Sequence, residues 1–139
     1  FLQTLRDDNP YITAVGGPLW SLQAFHNLAG ARSEGSFFIV PAPHPMLENE
    51  SALYLIQYQI NYPHGPDPNW LSLHAYESIN IIANAIETTN ASTSKSVAIS
   101  LSRIDYHGLI GRVQFDSIGQ WIEPQIRSYK WDNATISLP

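Results

Sequence analysis

Residues 1 to 41 alternate helix, strand, helix, strand, and that order restricts the folds open to this chain more than any other feature. "YITAV" (11–15) is rich in β-branched and aromatic residues, and "GSFFIVP" (35–41) is a short apolar run between Gly and Pro. Both read as strands, the second as a buried one. Between them, "SLQAFHNLAG" puts Leu22, Phe25 and Leu28 on one helical stripe with Gly30 as its stop. Ahead of them, "FLQTLRDDNP" reads as the last turns of a helix, with Phe1, Leu2 and Leu5 on one face and its end before Pro10. The alternation predicts an α/β layer with parallel strands.

"PAPHPMLENE" (41–50) has three prolines and no periodicity, so it is a connection. "SALYLIQYQINY" predicts a helix with Leu53, Ile56, Gln57 and Ile60 on one side, stopped by "PHGPDP". Asn69 can cap the next helix, in which Leu73, Tyr76, Ile79, Ala83 and Ile86 keep helical spacing. Thr93 or Ser94 can cap a further helix with Val97, Leu101 and Ile104 inward. "GLIGRVQF" alternates, with Ile110, Val113 and Phe115 among its inward positions. "EPQIRSYKW" also alternates, and "NATISL" reads as one more strand.

The 139 residues suffice for a domain with a core of its own. Hydrophobic residues make up 44% and charged residues 14%, the reverse of a disordered composition. Net charge is −5, and the seven Lys and Arg are scattered, so the electrostatic footprint of a nucleic-acid binder is missing. Without cysteine there is no disulfide, thiolate metal site or Cys nucleophile. No run reaches the roughly 18 apolar residues of a spanning helix. "FLQTLRDDNP" shows neither an initiating Met nor a signal-peptide pattern, which leads to the expectation of a processed chain or part of a longer one. Asn49, Asn90 and Asn133 head Asn-x-Ser/Thr sequons, relevant only in a eukaryotic secreted protein.

Candidate chemistry is sparse. Gly108-x-x-Gly111 has the look of a phosphate loop, but a strand follows it where such loops need a helix. Asp116 lacks the further oxygens of a calcium loop, and Asp116–Gly119 has the chemistry of a tight turn. The five His (His26, His44, His64, His74, His107) share no metal-ligand spacing. His74 and Glu77 lie one helical turn apart, a candidate general-base pair or an ordinary polar pair. No Gly-x-Ser-x-Gly elbow is present. These patterns predict no metal, no cofactor and no catalytic residues.

"GGPLWS" (16–21) is the better lead, because it joins a strand's C-terminal end to a helix start. Ligands of open α/β sheets collect at that edge. Unpaired N–H groups there suit a carboxylate, Ser21 can cap the helix or bond a ligand, and Trp20 offers a stacking face. The alternative is a tight turn with Trp20 in the core.

Three segments in this order resemble the C-terminal part of type I periplasmic solute-binding proteins, specifically the leucine/isoleucine/valine-binding, extracellular ligand-binding-receptor group. They are Leu28-Ala-Gly30 through Glu34-Gly35, Tyr76-Glu77-Ser78, and Tyr106, Gly108, Gly111, Phe115, Asp116 and Gly119. The resemblance covers nearly the whole chain. It implies a Rossmann-like three-layer α/β sandwich within a two-lobed fold, the N-terminal portion lying outside this sequence. Residues 1 to about 40 and 121–139 would belong to the second lobe, and about 45–120 to the first.

The role implied is non-enzymatic: an extracellular or periplasmic receptor that closes like a hinge on a small molecule and hands it to an ABC transporter permease. A sensory ectodomain of the same fold is the alternative, and a small α/β hydrolase is a third reading. The ligand contacts implied are Gly17, Pro18, Leu19, Trp20 and Ser21, with Trp70 and Leu73 from the start of the long helix. Amino-acid-binding members hold an acidic residue where this chain has Pro18. The ligand implied is amino-acid-like or an apolar or aromatic solute; an unpaired buried ammonium is costly, which favours the apolar or aromatic ligand, or an amide. The resemblance makes the 106–121 stretch a structural hairpin.

Overall fold

The computed structural model describes residues 2–139, so the part of the first helix's expected face that involves Phe1 lies outside the described residues. The chain is mixed α/β and divides into two compact units. One contains the residues up to Pro41 together with Ile126–Pro139, and the other is Ala42–Gln125.

The first unit carries a four-stranded sheet in the order β1-β2-β5-β6. Helix α1 (Leu2–Asp8) precedes β1 (Val15–Gly16), and α2 (Gln23–Ala29) is the crossover to β2 (Phe37–Val40). β1 and β2 are parallel, as the alternation predicts. β5 (Arg127–Asp132) pairs antiparallel with β2, and β6 (Thr135–Ser137) antiparallel with β5. Two sequence expectations need correction. "YITAV" yields only its last residue to a strand, because the chain leaves α1 through a turn in which Ile12 N–H donates to Asn9 O. β2 is buried on one face only: Phe38 and Val40 point in while Ile39 is exposed.

That face is the core of the unit. Phe38 lies opposite Tyr129 in the register, and Phe38, Tyr129 and Trp131 are all fully buried. Each such side chain contributes roughly 1.5–3 kcal/mol through burial. The Phe38 ring sits 6.0 Å from Tyr129 and 6.4 Å from Trp131. α1 is tied down by polar contacts: Arg6 donates to the carbonyls of Arg32 and Glu34, and Asp7 pairs with Arg32.

The second unit is helical, with one small hairpin. α3 (Ala52–Asn61), α4 (Trp70–Thr89) and α5 (Ser94–Leu101) precede β3 (Tyr106–Gly108) and β4 (Gly111–Val113). Asn69 and Thr93 each close a reciprocal capping box, with Ser72 and Ser96 respectively. Tyr54, Leu73, Ile81, Ala85, Ile104, Ile110 and Val113 form the core. α3 buries Tyr54 and packs Leu55 and Tyr58 against this core, while Leu53, Ile56 and Ile60, aligned as the spacing predicts, face outward. α4 likewise buries Leu73, Glu77, Ile81 and Ala85 and turns Leu71, Ile79, Ile82 and Ile86 outward.

The 106–121 stretch is a hairpin followed by a turn. Gly108 faces Gly111 across β3–β4, and Asp116 Oδ1 accepts from Ile118 N–H (3.0 Å) and Gln120 N–H (2.8 Å). Behind the hairpin lies Glu77, 2% exposed, whose Oε2 accepts from Leu109 N–H at 3.1 Å. A Cβ on Gly108 would sit 1.7 Å from that oxygen, so glycine is required for the approach.

Two stability predictions arise from this architecture. The β5–β6 turn holds Asn133 (φ 52°) and Ala134 (φ 58°), both left-handed. Such two-residue turns favour Asn-Gly, so Ala134→Gly should stabilise the protein by about 0.5–1 kcal/mol in urea unfolding. His44 is 4% exposed, and burial lowers its pKa from 6.5 to about 4 despite the attraction of Asp67. Between those values the unfolded chain binds a proton that the folded chain refuses. Stability is therefore full above 6.5 and falls as pH drops towards 4, by about 2–3 kcal/mol. His44→Gln should flatten the pH dependence of the urea midpoint between pH 7 and 5. His74, also lowered by burial, retains a residual slope of the same sign.

Candidate functional site

The candidate loop leaves the C-terminal end of β1, where the parallel pair β1–β2 opens. The sequence places α2 directly after this loop, but a 3-10 turn (Pro18–Ser21) intervenes and α2 begins only at Gln23. The loop is therefore not the N-terminus of α2. Trp20 N–H donates to Gly17 O at 3.0 Å to close the turn, which Pro18 starts with its fixed φ.

Ser21 does not cap α2. It is 2% exposed, and its hydroxyl donates to Pro18 O at 2.7 Å. Trp20 is half-buried, its ring stacked on Phe25 at 4.6 Å and 15°. The ring also lies flat over Gly16, where a Cβ would come within 2.0 Å of Trp20 Cδ2. Trp20 O accepts from Trp131 Nε1 at 2.7 Å, which ties the loop to β5. Gly17 is exposed, and Leu19 stands 68% exposed. The loop thus presents backbone, an aliphatic side chain and part of an indole, and it carries no charge of its own.

Trp70 and Leu73 belong to the second unit. Trp70 opens α4, half-buried, with its ring edge-on to His74 at 5.7 Å. Leu73 is fully buried in the core and presents no surface. Sequence reasoning missed the supports of Trp20, namely Gly16, Phe25 and Trp131. The signal for Gly16 was available in the doubled glycine ahead of a tryptophan. Trp131 lies 111 positions from Trp20, and no local pattern links them.

No hydrogen bond joins His74 and Glu77 among the described residues. The carboxylate turns to Leu109 N–H and Tyr106, while the imidazole lies among Trp70 and Trp121 with Nε2 buried and unpartnered. Among the described residues no group of three or more acidic or imidazole side chains could hold a metal ion. Among the described residues no helix is long and apolar enough to cross a membrane. A groove of about 520 Å³ runs between the end of α4 and α5, with Ala85, Ile99 and Ile104 among its lining. Several of its hydroxyls are committed to backbone carbonyls of their own helices, Thr88 to Asn84 and Ser100 to Ser96 among them.

No family model matches the chain, and no curated protein is significantly similar to it. Solved structures do match. A leucine-binding protein LivK from Thermotoga maritima superposes with a TM-score of 0.83 at 16% identity, covering 99% of this chain and 39% of its own. The branched-chain amino acid transporter substrate-binding protein LivJ from Streptococcus pneumoniae, solved with isoleucine, gives 0.81 at 20% identity, covering 97% and 38%. A solute-binding protein from R. palustris in complex with benzoate gives 0.73 at 9% identity, covering 99% and 38%. The chain therefore spans about two-fifths of the length of these solved structures. It carries part of the type I periplasmic-binding-protein fold, the fold its three ordered segments imply.

Proposed function

We propose that this chain is part of an extracellular or periplasmic solute-binding receptor, with no catalytic role, that presents a small molecule to an ABC transporter permease. The observation that carries the reading is the loop after β1, which exposes Gly17 and Leu19 and part of Pro18 beside a Trp20 ring held by Gly16 and Phe25. Gly17, Pro18, Leu19 and Trp20 would touch the ligand, with Ser21 bracing the turn from behind. Leu73, buried in the core of the second unit, would brace the helix that Trp70 opens.

The ligand class follows from charge. By the resemblance, Pro18 would stand where amino-acid-binding members hold an acid, and residues 16–21 contain no acidic side chain. A ligand buried there with a free ammonium would leave that charge unpaired, which is costly. An apolar or aromatic acid, or an amide, avoids the cost, and one solved neighbour of this fold holds benzoate.

Thermal-shift measurements on the full natural polypeptide, with leucine, isoleucine, benzoate, phenylacetate and their amides, test this. At about 100 times its Kd a ligand should stabilise by roughly 2.7 kcal/mol. Aromatic acids or amides are expected to shift Tm and leucine is not. A shift with leucine alone would overturn the assignment of class. In Gly16→Ala the new Cβ displaces the Trp20 ring, and the ligand-induced shift should fall at least tenfold in apparent affinity. Unchanged affinity in that variant would remove Trp20 from the site.

A further inference from the structure

We infer that the groove between the end of α4 and α5 is a binding site for a small hydroxylated anion, a sugar acid, whose carboxylate pairs with Arg103. The groove lies wholly within the second unit, so the inference is independent of the ligand reading of the loop after β1. Its volume, about 520 Å³, is that of a small-molecule site.

Two charged side chains line the groove, Arg103 and Asp105, and they differ in what they are free to do. Asp105 is already engaged. Arg112 holds both of its oxygens, Nε donating to Oδ1 and Nη2 to Oδ2, each at 2.7 Å. Arg103 is exposed and forms no ion pair or side-chain hydrogen bond among the described residues. A guanidinium in that state can take a planar anion through two parallel N–H bonds. A ligand ammonium finds no such partner, because the one carboxylate of the lining is occupied.

The hydroxyls define the rest of the ligand. Thr88 donates to Asn84 O and Thr89 to Ala85 O, each at 2.7 Å, and Ser100 donates to Ser96 O at 2.9 Å. With their protons committed to backbone, these oxygens offer the groove lone pairs. Thr89 Oγ1 and Ser100 Oγ also lie 2.7 Å apart, one from each helix, which makes a paired acceptor. A group that meets them must bring O–H donors. Ala85 and Ile104 belong to the core of the unit and, with Ile99, give the groove an apolar lining. A sugar acid combines the three features this surface calls for: a carboxylate, several O–H donors and an apolar C–H face.

Titration of the 15N-labelled full natural polypeptide with glucuronate, glucose and acetate tests the site, read at the backbone amides of Thr89, Ser100 and Arg103. Glucuronate is expected to shift these amides saturably. Glucose and acetate each carry part of the required chemistry and should bind at least about tenfold more weakly. Arg103→Gln alters an exposed side chain and should reduce glucuronate to the affinity of glucose, while leaving the thermal shift with an aromatic acid unchanged. Silence of the three amides with glucuronate would overturn the assignment. So would equal affinity for acetate or glucose, or an Arg103→Gln variant that binds glucuronate as tightly as before. A missing aromatic-acid shift beside an intact glucuronate response would sink the reading of the β1 loop alone, and the opposite pattern would sink the groove alone.

Discussion

Four residues, Phe37–Val40, hold the first unit together. β2 is the strand with a parallel neighbour on one edge and an antiparallel neighbour on the other. The parallel side forces a crossover, which α2 supplies, and the antiparallel side recruits a segment almost ninety positions later in the chain. Phe38 and Val40 then bury the face on which Tyr129 and Trp131 close. Trp131 does more than fill space, because its indole N–H reaches the carbonyl of Trp20. The loop that carries the candidate contacts is therefore shaped by the last long strand, through a bond to a backbone group that would otherwise need a partner.

The second unit depends on a polar contact in an apolar setting. Glu77 is buried on the core face of α4, where a carboxylate survives only with partners. Leu109 N–H and the Tyr106 hydroxyl provide them. Gly108 supplies the room, and the hairpin is thereby locked to the helix. The two glycines that resembled a phosphate cradle thus serve to bring a backbone close to a carboxylate and to turn a chain.

What was legible in the sequence was local chemistry. Asn69, Thr93, Gly30 and Asp116 do what their side chains and positions predict, because caps and turns are decided within four residues. The fold was legible through the order of helix and strand and through spaced motifs. Orientation was not. Leu53, Ile56 and Ile60 align on α3 as expected, but periodicity alone cannot say which of two apolar stripes meets the core. β1 is shorter than "YITAV" predicts because its parallel pairing begins only at Val15, opposite the first residue of β2, Phe37, whatever the propensity of "YITA". The 3-10 turn at Pro18–Ser21 was missed because Pro at a first turn suits either helix type. Near the candidate loop, the contact of Trp131 with Trp20 was hidden by sequence distance.

The most direct test of the central claim, that the loop after β1 meets a ligand, is a 15N-labelled NMR titration of the protein with benzoate. The account predicts chemical-shift changes concentrated at the amides of Gly17 and Leu19 and at the indole N–H of Trp20. Changes confined to the groove between α4 and α5, with the loop silent, would contradict it.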